Sequence, residues 1–354
     1  MIMKRIIYFL FAAALAAACN NARQATASTD GDAAIPVGPG FNADSAYAFC
    51  AEQCAFGPRT MNSDAHEQCL RWIVAKFKQY GLDVSEQRAD LRGYDGTLLR
   101  ATNIIARTRN AGSGPRILIC AHWDSRPWAD NDPDTANWRR PVLAANDGAS
   151  GVAVMLEIAR LIQSADSLKV GIDFVCFDAE DWGTPQWATA SGNDCWALGS
   201  EHWAKEYAKM QSVSGVDNVQ QIQGAGQQAP GSVQQGIAYG ILLDMVGGQG
   251  AQFYQEGYSK QYAQSILDKV WRAAQVVGYG SYFPTESGGT ITDDHVPVNE
   301  IAGIPCIDII PYYPACRQSS FGPTWHTVSD DMEHIDKNTL LAVGQTIIQV
   351  IFSE

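Results

Sequence analysis

A chain of 354 residues that is 46% hydrophobic and 18% charged has globular composition, which excludes a disordered or fibrous polymer and allows one large buried core. Its 25 basic and 38 acidic residues give a net charge of −13. That charge repels phosphate backbones, so no nucleic-acid partner is expected.

In chain order, Lys4 and Arg5 precede an apolar run from Ile6 to Ala18. The run is too short for a lasting membrane span and has the make-up of an export signal. It closes as Leu15-Ala16-Ala17-Ala18-Cys19, small residues before a cysteine, which resembles the bacterial lipoprotein signal. The resemblance implies a signal peptide over residues 1–19 and lipidation of Cys19. The protein would then be exported and held by lipid at a bacterial membrane, facing the periplasm. Residues 20–36 are rich in Ala, Thr, Ser and Asp and read as a flexible tether. No later stretch is long and apolar enough to span a bilayer, and residues 37–354 show no linker or repeat that would divide them, so one domain is expected. Of the other cysteines, Cys50, Cys54, Cys69 and Cys195 lie in polar contexts where export permits pairing. Cys120 and Cys176 sit inside apolar runs, where a buried free thiol is the usual state.

Helices are predicted over Asp44 to Ala55 and Asp64 to Tyr80; the second carries Leu70, Ile73, Val74 and Phe77 on one face. Asp83 to Leu91 and Leu98 to Arg107 read as paired strands. Strand and helix then alternate: strands Arg116 to Ala121, Val170 to Phe177, Ala238 to Leu243 and Ile304 to Ile310, and helices Gly148 to Ile162, Gln261 to Val277 and Lys337 to Phe352. This pattern predicts an α/β domain whose central, twisted, mostly parallel mixed sheet is covered by helices on both faces. Trp182 to Leu198 and Gln211 to Gly236 read as irregular. His66, His202 and His334 are expected at the surface.

Ligands of an open parallel sheet bind beyond the carboxyl ends of its strands. Here the strands run into His122-Trp123-Asp124-Ser125, Asp178-Ala179-Glu180-Asp181 and Asp244, while Asn146-Asp147-Gly148 opens a helix and Trp325-His326-Thr327 follows the last strand. Each has a bland explanation alone, such as an N-cap or a core histidine. Together they crowd carboxylates and imidazoles onto one edge. Clustered buried carboxylates repel, and a divalent cation neutralises them. One imidazole with two carboxylates and an open position suits catalytic zinc.

The ordered series HWDS, NDGASG, DAED, LLDMVG and WHT resembles the zinc-dependent aminopeptidases, and more closely their relatives the glutaminyl-peptide cyclotransferases of bacteria. The resemblance covers roughly residues 40–354. It implies an aminopeptidase-like fold and one zinc ion per chain, bound by Asp147, Asp181 and His326. It further implies Glu180 as general acid/base, Asp244 and Asp293 as supporting carboxylates, and Trp325 and Trp187 as pocket walls. The implied substrates are peptides and proteins with N-terminal Gln, converted to pyroglutamate with release of ammonia. The alternative is a zinc aminopeptidase. Asp181 departs from the Glu usual in animal cyclases, one methylene shorter but still an oxygen donor. His122 and Asp124 are expected in a hydrogen-bond network supporting the sheet edge.

Overall fold

Four strands whose side chains are almost wholly buried make the parallel part of the sheet: β3 (Arg116–His122), β4 (Gly171–Phe177), β5 (Ile237–Leu243) and β6 (Cys306–Ile309). Two longer strands, β1 (Asp83–Arg92) and β2 (Leu98–Arg107), extend one side, giving the order β1-β2-β4-β3-β5-β6. The pairs β3–β4, β3–β5 and β5–β6 are parallel, and β1–β2 and β2–β4 are antiparallel. β1, at the edge, alternates exposed and half-buried residues, as a strand paired on one side and wet on one face should. The structure is a computed structural model that describes residues 35–109, 115–163, 168–189, 195–220 and 236–354. Within it, residues 36–354 form one compact unit. The expected signal peptide, Cys19 and nearly all of the expected tether lie outside the described residues.

Strand side chains alternate between faces, and β3 divides its apolar residues accordingly. Ile117, Ile119 and Ala121 join the core beneath α1 (Ala43–Cys54), α2 (Asp64–Gln79), α3 (Ala149–Ile162), α5 (Gly257–Val276) and α7 (Lys337–Ser353). Leu118 and Cys120 face Trp203, Ala204 and Tyr207 of α4 (Leu198–Gln220) and Val298 of α6 (His295–Glu300). Helices therefore cover both faces of a mixed sheet, the expected α/β architecture. Their starts follow ordinary capping chemistry: Asn42, Ser63 and Asp336 accept backbone N–H bonds at the first turns of α1, α2 and α7.

Three sequence expectations are corrected. The polar stretch from Gln211 continues α4 as helix to Gln220; its Gln, Ser and Gly content disguised a helix whose buried anchors, Trp203, Ala204 and Tyr207, lie in its first half. His66 is not a surface residue: it is buried, stacked on Trp123 and hydrogen-bonded to Asp178 at 2.8 Å. Cys50, Cys54 and Cys69 are free thiols, all buried where α1 and α2 meet the core.

The register brings strand ends level. His122 pairs with Phe177, Cys120 with Leu242, and Leu243 with Ile309, so the residues after β3, β4 and β5 emerge along one edge. α3 packs tightly there. A Cβ on Gly151 would lie 2.2 Å from Leu243 O and 2.8 Å from Ala121 Cβ. Gly151→Ala is therefore expected to destabilise by about 1–3 kcal/mol through overpacking, measured as a lower urea midpoint at unchanged slope. An unaltered midpoint would mean that α3 is free to shift away from β5.

Candidate active site

Asp147 stands at the entrance to α3, held by Asp330, whose two carboxylate oxygens accept the backbone N–H of Asn146 (2.7 Å) and of Asp147 (3.0 Å). Gly148, next in line, has φ 107°, and a Cβ there would meet Asp124 O at 2.5 Å; only glycine lets the chain turn this close to β3. Glu180 and Asp181 follow β4 and are clamped by Asp124, which accepts the N–H of Glu180 (3.1 Å) and of Asp181 (3.2 Å). Ala179, Met245 and His326 all have positive φ, at 54°, 49° and 53°. Such backbone costs of order 1–3 kcal/mol for a non-glycine residue. It is concentrated where Glu180, Asp244 and His326 are aimed.

These loops bring the sequence-distant side chains together. Asp147, Asp181 and His326 are buried, and each offers one ligand atom within 4.8 Å of the other two. His326 Nε2 lies 3.5 Å from Asp147 Oδ2 and 3.3 Å from Asp181 Oδ1. Asp181 Oδ2 has no hydrogen-bond partner. Burial holds the His326 imidazole well below its ordinary pKa, and the nearby Arg126 guanidinium pushes the same way; the ring is kept in the neutral form that ligates metals. Burial, reinforced by the Asp147 charge, pushes Asp181 well above the usual carboxylate range, which is repulsion a cation would relieve. An orphaned buried oxygen, a neutral imidazole and two close carboxylates fit a zinc ion.

Arg126 is buried, pairs with Asp130, and donates to Asp181 Oδ1 at 3.2 Å. Its guanidinium lies over the rings of Trp128 and Trp196. His122 bonds Asp147 Oδ1 at 3.0 Å and Asp244 Oδ1 at 3.2 Å. His122, Asp147 and Asp244 form a further trio of possible ligands that shares Asp147 with the first.

Beside these groups opens a cavity of about 280 Å³ lined by Asp147, Glu180, Asp244, Asp293, Trp325 and His326, with Trp196, Phe321 and Ile291 among its walls. Burial pushes the Glu180 carboxyl well above the usual range, and the charges of Asp181 and Asp293 act against His122 to keep it there. Burial likewise lifts Asp244 to about 8. Trp325 stacks on His326 with ring centroids 3.7 Å apart and meets Phe321 at 4.9 Å.

Trp187 does not line this cavity. It packs against Trp138 and Trp128, with Arg139 over its ring, and the tryptophan in the wall is Trp196. Both sit in the same tryptophan-rich loop; spacing alone does not tell which one turns inward. Sequence reasoning also missed Asp330 and Arg126. Their only signal was proximity, four residues after His326 and two after Asp124.

The model for Peptidase family M28 matches residues 103–351. A glutaminyl cyclase of Bacteroides thetaiotaomicron, crystallised with N-acetylhistamine, superposes with a TM-score of 0.79 at 45% identity, covering 90% of this chain and all (100%) of that one. An aminopeptidase of Bacillus subtilis is 27% identical over 290 residues, which are 79% of this chain and 50% of the relative. A glutaminyl-peptide cyclotransferase of Gloydius blomhoffii is 26% identical over 274 residues, 72% of this chain and 65% of the relative. The chain thus spans half to about two thirds of the length of these two curated relatives.

Proposed function

Because the chain belongs to peptidase family M28, we propose that it is a zinc-dependent glutaminyl-peptide cyclotransferase, acting on peptides and proteins with N-terminal Gln. The observation that carries this reading is the convergence of Glu180, Asp244 and Asp293 in one aromatic-walled cavity next to the Asp147–Asp181–His326 trio. The 45% identity to a bacterial glutaminyl cyclase over that chain's whole length supports it.

The chemistry asks for an amine, a base and dryness. The substrate's α-amine attacks its own γ-carboxamide carbon; a C–N bond closes the five-membered ring, and the bond to the amide nitrogen breaks to release ammonia. Glu180 takes the proton from the attacking amine and delivers it to the leaving nitrogen. A carboxyl raised by burial holds a proton more readily than an ordinary carboxylate, which suits a group that takes a proton and returns it. Asp244 and Asp293 hydrogen-bond the moving amine and ammonia. Trp196, Trp325 and Phe321 fold the short substrate so that its ends meet, and they exclude water, whose attack would yield Glu instead of the ring. Asp147, Asp181 and His326 would hold zinc, which supplies a Lewis acid for the carboxamide oxygen. Asp124, Asp330 and Arg126 keep these groups in place.

One observation favours a second reading. The trios Asp147–Asp181–His326 and His122–Asp147–Asp244 share a carboxylate, as a two-metal aminopeptidase requires. Incubation of the purified protein with Gln-peptides and with Ala- or Leu-peptides separates the two. Ammonia and a cyclised N-terminus from Gln-peptides alone are expected; free amino acids from ordinary peptides would establish the peptidase instead.

The export reading rests on Lys4, Arg5, the apolar run and Cys19, and places the enzyme at a bacterial membrane through a lipid on Cys19. Among the described residues no helix is long and apolar enough to cross a membrane. Replacing Cys19 with Ser and fractionating cells tests it: release of the protein from the membrane fraction is expected.

A further inference from the structure

A second cavity, of about 210 Å³, opens between the start of α2 and the strands β1 and β2. It shares no lining residue with the cavity of the reaction centre. His66 and Glu67 line it from the helix; Arg88 and Asp90 stand opposite Thr102 and Arg100 in the strand register. The charges around it are unevenly matched. Arg88 pairs with Glu86, and Glu67 with Arg71. Arg100 uses its backbone N–H on Asn62, and its guanidinium has no ion pair or hydrogen bond among the described residues, not even with Asp90 opposite.

Two of the lining groups are buried: His66 is 4% exposed and Thr102 3%. His66 Nε2 lies 2.8 Å and 3.1 Å from the two oxygens of Asp178. Asp178 is itself wholly buried, and no Lys or Arg pairs with it among the described residues. Its Oδ1 accepts the N–H of Ala179 and its Oδ2 that of Thr102, which leaves a carboxyl proton no acceptor and marks the group as a carboxylate. Burial lifts the Asp178 carboxyl, and the charge of His66 opposes that lift. A buried carboxylate requires a cation, and His66 is the one in reach. Burial works against charge on the imidazole, but Asp178 outweighs it and raises the ring above its ordinary pKa. An imidazolium carries a second proton, on Nδ1, and nothing among the described residues accepts it. The Thr102 hydroxyl is likewise without a partner. A buried donor left unmet is disfavoured, and both of these line an open cavity.

We propose that this cavity binds a small monocarboxylate, whose oxygens accept from His66 Nδ1 and the Thr102 hydroxyl and pair with the Arg100 guanidinium. Its volume lies below the range of drug-sized sites, which limits the ligand to a few heavy atoms. Glu67 and Asp90 border the cavity and repel a dianion such as phosphate, whereas a single negative charge is balanced by Arg100. The ligand completes a polar chain through His66 and Asp178 to the N–H of Ala179, the residue of φ 54° that precedes Glu180. By holding the imidazolium in place it steadies the turn that aims Glu180. The site stands whether the reaction cavity cyclises or hydrolyses.

The test is an NMR titration of the zinc-loaded protein, isotopically labelled in its histidine ring nitrogens. Sodium acetate is added against sodium chloride at matched ionic strength and pH. The His66 signals are assigned through the stacked Trp123 ring. Saturable movement of the Nδ1 signal with acetate, and none with chloride, is expected. Arg100→Ala, at an exposed position, should weaken acetate by about 2–5-fold, the worth of one exposed ion pair. Thr102→Val keeps the backbone N–H on Asp178 and should weaken acetate as well. The absence of a saturable shift overturns the proposal, as does an equal response to chloride, tighter binding of phosphate than of acetate, or unchanged affinity in either variant. If Thr102→Val does not fold, Arg100→Ala decides alone.

Discussion

Glu180→Gln is expected to lower turnover of a Gln-peptide by about 10²–10⁴-fold, the range for loss of a general acid–base group, while zinc stays bound. The side chain keeps its size and its place in the cavity wall, and the Asp124 clamp acts on the backbone N–H groups of Glu180 and Asp181, which the substitution leaves alone. What disappears is the ability to take a proton and return it. A carboxamide cannot do either near neutral pH. Kinetics should therefore show kcat falling with little change in KM, and metal analysis should show a full complement. A rate within a few-fold of wild type would remove Glu180 from the proton path and leave Asp244 or Asp293 to carry it.

His326→Ala should abolish activity together with metal binding. His326 is the one nitrogen donor of the trio, and its ring is pinned by Trp325 at 3.7 Å and, more loosely, by Trp196 at 5.8 Å between centroids. Without it Asp147 and Asp181 face each other across an emptied wall. Arg126 already donates to Asp181, and two carboxylates alone make a poor zinc site. The loss of affinity should exceed the roughly 10–100-fold typical of removing only an outer partner of a ligand. Dialysis followed by elemental analysis reads the metal, and ammonia release reads the reaction. Full zinc in the variant, or activity without it, would move the reaction centre to the His122–Asp147–Asp244 trio.

The two experiments fail separately. Lost activity with retained zinc marks the proton path; joint loss marks the metal centre. Arg126 bonds Asp181 and Asp130, and its position over the rings of Trp128 and Trp196 explains why a permanent charge is tolerated in so buried a place: carboxylates and aromatic faces surround it.

Much of this molecule was legible without coordinates. Runs such as Arg116 to Ala121 and Val170 to Phe177 are short, mostly apolar and free of helical periodicity, which reads as buried strands, and the acidic or imidazole residue after each was visible as a break in apolar sequence. The amphipathic face of α2 was equally plain. The helix beyond Gln211 was not, because polar residues carry no periodic apolar signal. His66 was misjudged for a related reason: a histidine in a polar-looking helix gives no hint that its partner, Asp178, lies 112 positions away.

Sequence alone determined the order of the strands and of the helices other than α4 and α6, the edge at which the candidate ligands gather, and the chemical types of Asp147, Glu180, Asp181, Asp244, Asp293 and His326. Only the tertiary structure decided that Trp196 rather than Trp187 turns into the cavity, that Asp124 and Asp330 hold the loops by their backbone N–H groups, and that His66 meets Asp178 at the wall of a second cavity. The reason is physical. Apolar periodicity and strand ends are local properties of the chain, whereas a side chain's direction and its polar partners are set by contacts between segments that meet only after folding.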